Sequence, residues 1–176
     1  MERVAIIGCG GSGKSHLARQ LAERLELPIT HLDAVYYDDQ WNTLPKDRFT
    51  AVQEELVARP RWVIEGNYAS TLPVRLAAAD TVIVLDLPAR TCLRGVLQRR
   101  ARHGGGQHQA IGVYNRLNWS FVRYILGYRR TMLPRVHQLV ADHGHDVDLV
   151  VLRTRRAARR FLGQVAPVGL QHQLSH

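Results

Sequence analysis

The stretch Gly8-Cys-Gly-Gly-Ser-Gly-Lys-Ser15 decides how this chain is read. It follows the apolar run Arg3-Val-Ala-Ile-Ile7, which reads as a strand, and precedes Leu17, Leu21 and Leu25 at helical spacing. The pattern is Gly, four residues, Gly, Lys, Ser, set at a strand-to-helix turn. Gly8, Gly10, Gly11 and Gly13 permit a tight turn whose N–H groups face inward on an anion, and the helix N-terminus adds positive partial charge. Lys14 then reaches the outer phosphates of a nucleoside triphosphate and the Ser15 hydroxyl ligates Mg2+, with Ser12 and His16 as further nucleotide contacts. Without a ligand, Lys14 and Ser15 in this register have no packing purpose. ATP is taken as the nucleotide because no Asn-Lys-x-Asp segment is present, which alone leaves the choice between ATP and GTP open. Cys9 within the loop is expected to be a small filler.

Outward from this loop, strands and helices alternate, which predicts a parallel sheet with helices on both faces. After the first helix, Pro28 to Asp33 reads as the second strand, and 34–45 as irregular. Asp47 is expected to cap a helix running to about Ala58, which Pro60 stops. Arg61 to Glu65 is the third strand and Thr81 to Asp86 the fourth. Leu93, Val96 and Leu97 mark a helix to about Arg102, and Gly104 to Gly106 a flexible hinge. Two helices are expected next, near Leu117 to Tyr128 and Met132 to Ala141. Val147 to Leu152 is the fifth strand, and a basic helix follows to about Leu162. One domain, residues 1–163, is expected, with a lid at about 99–116 and a flexible tail at 164–176.

The chain has 176 residues, 45% of them hydrophobic, enough for one compact domain with a core. No apolar run approaches the roughly 18 to 20 residues that span a bilayer, so no membrane role is expected. Two cysteines, Cys9 and Cys92, imply no disulfide framework and fit a reducing cytoplasm. The formal charge of +9 raises nucleic acid as a partner. Its carriers, nearly all arginines, are spread over several helices, and such helices beside a triphosphate also neutralise phosphate.

Ligands of open α/β sheets sit at the carboxyl ends of the strands, where Asp33, Glu65 and Asp86 fall. Such acids hold a metal or its water, or orient and deprotonate an acceptor hydroxyl; the alternative for each is a helix cap or a surface ion pair, and Asp86 before Leu-Pro also reads as a turn. Arg94, Arg99, Arg100 and Arg102 precede the glycine run, with Arg99 and Arg102 on one helical face. They are placed to stabilise charge that spreads in a phosphoryl-transfer transition state. Tyr36, Tyr37, Trp41 and Tyr68 lie beside the acids and could stack on a planar acceptor or anchor the loop.

On Ile6 to Ser15, His31-Leu-Asp33, Val63 to Tyr68 and the Cys92 to Arg102 helix, the chain resembles the adenylate kinase-like P-loop proteins labelled DNA topology modulation proteins. The resemblance runs from Arg3 to about Leu162. It implies a three-layer P-loop NTPase fold, a five-stranded parallel sheet in the order 2-3-1-4-5, and a small helical lid after the fourth strand. It also implies that Glu65 is the metal-side acid and Asp33 the acceptor-side acid. Arg153-Thr-Arg155 falls where adenine is held. The chain departs from the family at Gly104-Gly-Gly-Gln-His-Gln109, where members carry arginines across the lid turn. The family label implies an effect on DNA supercoiling, yet no nucleic-acid module is visible.

The leading expectation is therefore a kinase that moves the γ-phosphoryl group of ATP to a small-molecule or nucleotide acceptor, with Lys14, Asp33, Glu65, Arg99 and Arg102 as its catalytic groups. A nucleotide-dependent regulator that binds nucleic acid and a slow NTPase are the alternatives. The sequence leaves the acceptor open, and the choice between monomer and dimer.

Overall fold

The computed structural model describes residues 1–104, 106–108, 113–115 and 118–167. Its sheet has five parallel strands: β1 (Arg3–Gly8), β2 (Ile29–His31), β3 (Trp62–Glu65), β4 (Thr81–Leu85) and, late in the chain, a strand at Asp148–Leu152. Their order is β2-β3-β1-β4 with Asp148–Leu152 at the far edge. The 2-3-1-4-5 order is therefore the one present. Val4 to Ile7, Val63, Ile64 and Val82 to Leu85 are almost wholly inaccessible. Strands covered on both faces need such unbroken apolar runs.

Helix α1 (Lys14–Leu25) buries Leu17, Leu21 and Leu25 together with Ala18 and Ala22, the stripe that the spacing predicts. The first crossover runs from the sheet centre toward β2, whereas those after β2, β3 and β4 run the opposite way. Right-handed crossovers therefore put α1 on one face and the later helices on the other. α3 (Lys46–Val57) packs on α4 (Leu72–Ala78), and α4 packs on α6 (Trp119–His143). On the first face α1 meets α7 (Arg155–Gln164).

Several expectations need correction. The second strand stops at His31, and residues 32–36 form a short helix, α2 (Leu32–Tyr36), where the strand end at Leu32-Asp33 and then irregular chain were expected. α3 starts at Lys46 after Pro45, so Asp47 lies in its first turn and is not its cap. α4 was not foreseen; it has a proline in its first turn, where the missing N–H costs no intrahelical hydrogen bond. The two helices expected after residue 117 are one, α6, which runs through Pro134. A mid-helix proline costs about 3 kcal/mol. Burial of Ile125, Tyr128, Leu133, Val136 and Val140 along one face outweighs it.

α5 (Ala89–His103) extends the expected Leu93 to Arg102 helix at both ends. Beyond it the lid is not helical among the described residues. Strand β5 (Gly106–His108) pairs antiparallel with β6 (Val113–Asn115). Consecutive glycines oppose helix by about 1 kcal/mol each, and Val113-Tyr114 favours strand. The edge strand Asp148–Leu152 is thus β7. The tail expected to be flexible lies outside the described residues beyond position 167.

Candidate active site

The loop between β1 and α1 has the geometry that its glycines suggest. Gly11 and Gly13 have φ of 76° and 98°, values that side chains rarely adopt. The loop is also pressed from outside. A Cβ on Gly95 of α5 would lie 2.1 Å from the Gly11 carbonyl oxygen, so only glycine lets α5 ride on the loop. The first α1 amide to reach an intrahelical carbonyl is Leu17 N–H, on Gly13 at 3.0 Å. The amides of Lys14, Ser15 and His16 are the orphan donors of a helix start, which an anion satisfies. Ser12 Oγ is buried without a hydrogen-bond partner in the protein and lines the cavity above the loop.

The acids converge at Ser15. Its hydroxyl donates to Glu65 Oε1 at 2.8 Å, and His31 Nδ1 approaches the same oxygen at 2.8 Å. Burial alone would raise the Glu65 carboxyl. The His31 hydrogen bond, the Lys14 charge and the Ser15 hydroxyl outweigh it and hold Glu65 below the usual carboxylate range. Asp33 accepts a hydrogen bond from Tyr68 OH at 2.5 Å. Burial, and then the neighbouring Glu65 charge, push Asp33 above the usual range. Two carboxylates driven apart in this way are the pattern of one that stays ionised and one that takes up a proton more readily.

Arg99 stands over both acids. Burial lowers its affinity for the proton while Asp33 and Glu65 support the charge, and its Nε is buried without a hydrogen-bond partner. Lys14 Nζ rests on the Cys9 carbonyl at 3.3 Å. The Cys92 thiol, and then burial, push Cys9 upward, so Cys9 is a protonated filler of the loop.

Two cavities meet here. One, of about 450 Å³, runs from the loop between α5 and α7, and Arg19, Arg102, Arg155 and Arg159 join Lys14 on its wall. The other, of about 510 Å³, lies over the β2 and β3 ends, with Asp33, Asn67 and Tyr68 on its floor. Lys14, Ser15 and Arg99 line both. Arg99 and Arg102 share a cavity as their spacing suggests, and Gly11, Ser12, Gly13 and His16 line it too.

Two site candidates lie elsewhere. The buried Asp86 carboxylate is engaged by Arg129, with Nε 2.8 Å from Oδ1 at a poor angle and Nη2 donating to Oδ2 at 3.2 Å. Arg153 approaches the same group at 3.7 Å and is otherwise exposed. From the Arg153-Thr-Arg155 segment it is Arg155 that faces the first cavity, bonded to Gln98 Oε1 at 3.3 Å.

Sequence reasoning missed a buried scaffold beneath the acids. Arg75 of α4 is wholly inaccessible and donates to the carbonyls of Gly66 (2.8 Å), Asn67 (3.1 Å) and Tyr68 (3.2 Å). Burial brings its guanidinium down to about 10. Asn67 donates to Tyr124 OH at 2.9 Å and accepts from Tyr128 OH at 3.1 Å, which ties the β3 end to α6. His31, two residues before Asp33 on a strand, was a findable signal. Arg75 lay in a helix that its own sequence does not announce.

No family model and no curated protein matches the chain. Solved structures do. A shikimate kinase from Acinetobacter baumannii in complex with shikimate superposes with a TM-score of 0.60 at 20% identity, covering 99% of this chain and 94% of that one. A sugar kinase from Janibacter sp. HTCC2649 gives 0.51 at 18% identity, covering 95% and 96%. The fold is therefore the α/β fold of P-loop kinases.

Proposed function

We propose that the chain is a phosphotransferase that moves the γ-phosphoryl group of ATP to the hydroxyl of a small acceptor. The observation that carries this reading is the meeting of two cavities at Lys14, Ser15 and Arg99. One is cationic and built on a phosphate-type loop, the other holds a carboxylate of raised proton affinity. The kinase neighbours support the same class through their fold.

In this reading the loop amides and Lys14 hold the triphosphate, and Arg102 and Arg155 flank it. The hard oxygen donors Ser15 Oγ and Glu65, 2.8 Å apart, suit Mg2+. When bound, the ion neutralises charge on the β- and γ-phosphates. Asp33 orients the acceptor hydroxyl. The hydroxyl oxygen bonds to the γ-phosphorus as the bond from that phosphorus to the β–γ bridging oxygen breaks. The electron pair leaves with ADP, and the hydroxyl proton passes to Asp33. Arg99 offsets the charge spread over the transferring group. The segment after α5 serves as a lid, and the adenylate kinase-like subtype suits this arrangement.

Thermal unfolding with Mg-ATP, Mg-GTP or no nucleotide tests the donor side. Mg-ATP at about 100-fold saturation stabilises by some 2.7 kcal/mol, and Lys14→Ala removes the shift. An unshifted midpoint with either nucleotide would sink the reading. The charge of +9 favours the nucleic-acid alternative, whose signature is DNA affinity that falls steeply with salt.

A further inference from the structure

The second cavity has walls that say more about its occupant than its volume does. Two aromatic groups line it from separate parts of the chain: Tyr37 and Trp41 from the α2–α3 connection, and Phe121 and Tyr124 from α6. The Phe121 and Tyr124 rings are stacked, centroids 6.2 Å apart and 15° from parallel, so their flat faces share one orientation at the cavity wall. Phe121 is also seated on the phosphate loop, since a Cβ on Gly10 would come within 2.4 Å of its ring. The flat face therefore borders the donor site.

Trp41 is held there at a cost. Among the described residues only Glu26, Trp41 and Tyr68 take positive φ without being glycine, and two of these three line this cavity. Trp41 has φ 65°. Asp38 fixes its loop by accepting from Gln40 N–H at 3.0 Å and Asn42 N–H at 2.8 Å. Strained backbone persists where the surroundings over-determine it, and it gathers at ligand sites.

The charges select further. Lys14 and Arg99 are the cations among the described lining residues, and both also line the donor cavity, where phosphates claim them. Among the described residues, an acceptor carboxylate or phosphate would face Asp33 without a cation of its own. The other polar groups are neutral, Asn118 and Ser120 among them, and suit the edge of a heterocycle.

We propose that the acceptor is an uncharged, ring-bearing alcohol of the nucleoside class, with its planar heterocycle among Trp41, Phe121 and Tyr124 and its hydroxyl on Asp33. This rests on the phosphotransferase reading and adds the substrate class. Flat aromatic faces stack any base through its π-face, whereas a puckered sugar or a carboxylated cyclitol lacks that match.

The test is calorimetric titration of the full chain, with Mg2+ and a non-hydrolysable ATP analogue present, using four nucleosides, their 5′-monophosphates, shikimate and glucose. ADP release is then measured with ATP and the same panel. At least one nucleoside is expected to bind at least 10-fold tighter than its own monophosphate, shikimate or glucose, and to stimulate ADP release. Trp41→Ala is expected to weaken that binding about 10-fold while Mg-ATP still raises the unfolding midpoint, which shows that the variant folds. Shikimate, glucose or a monophosphate binding as tightly as the best nucleoside, or no nucleoside binding at all, would overturn the assignment. ADP release driven only by a charged acceptor overturns the acceptor class and leaves the phosphotransferase reading standing. Nucleoside binding with no ADP release from any acceptor supports the ring site and removes the phosphotransferase reading.

Discussion

On the donor side of Lys14 the largest share of the lining comes from one segment, Gly11 to Gln20, to which α5 and α7 add arginines. On the acceptor side the phosphate loop shares the wall with five other places: Asp33, the Tyr37-Trp41 loop, the Asn67-Tyr68 corner, Arg99 and α6 with its cap. The donor side is made largely of backbone, and its ligand chemistry is the same for any triphosphate. The acceptor side is made of side chains brought together by packing, and its chemistry is particular. A phosphate cradle therefore survives where little else of a sequence is shared, while the acceptor pocket is free to change.

The largest effect expected on this contrast is from Lys14→Ala. Loss of a charge aimed at the transferring group should reduce turnover about 10³-fold, measured as ADP release with the best acceptor. Acceptor affinity should change far less if the two sides are as separable as described. Arg75→Ala should break the acceptor side through its scaffold. It leaves the carbonyls of Gly66 and Asn67 without their buried donor, while the Tyr68 carbonyl keeps Thr71 N–H at 3.1 Å. A loss of roughly 3 kcal/mol in denaturant unfolding is expected, since each orphaned group costs about 1–3 kcal/mol.

Gly95→Ala is a smaller donor-side counterpart. The added methyl meets the Gly11 carbonyl oxygen, so α5 must back away from the loop. Overpacking of this kind costs about 1–3 kcal/mol and should diminish the Mg-ATP thermal shift, with acceptor binding preserved.

The smallest effect is one of sign. Asp33 binds its proton more tightly in the folded chain than in the unfolded one. Between the ordinary carboxylate value and the raised folded one the native state holds more protons, so its stability falls as pH rises through that window. Asp33→Asn removes this penalty and keeps an acceptor for Tyr68 OH. Its unfolding midpoint should exceed the parent's at pH 7, and the difference should vanish below the ordinary carboxylate range, while turnover is lost. Glu65, held low, behaves oppositely: its contribution is present above the ordinary value and lost as pH falls.

Legibility in the sequence followed the same division. The strand, loop and helix from Arg3 to Leu25 are announced by local pattern, because glycine spacing and a leucine stripe act over a few residues. The acids at the β2 and β3 ends were legible for the same reason, since a strand end is a local feature. Partners were not. Nothing near Asp86 foretells that Arg129 and Arg153 engage it, because both arrive from later elements. The gap expected between Tyr128 and Met132 is closed by burial along α6, and Arg75 hid in a seven-residue helix with a weak local signal. The aromatic face of Phe121 and Tyr124 follows from i, i+3 spacing on α6. Its place beside the phosphate loop is set only by the fold.

The measurement that bears most directly on the central claim is the fate of the γ-phosphoryl group itself. Protein, Mg2+, γ-labelled ATP and a nucleoside panel are incubated together, and the label is followed by chromatography. The account predicts label on the acceptor hydroxyl, in amounts that track ADP, with Lys14→Ala silent. Label that appears only as inorganic phosphate, whatever the acceptor, would make water the acceptor and contradict a phosphotransferase.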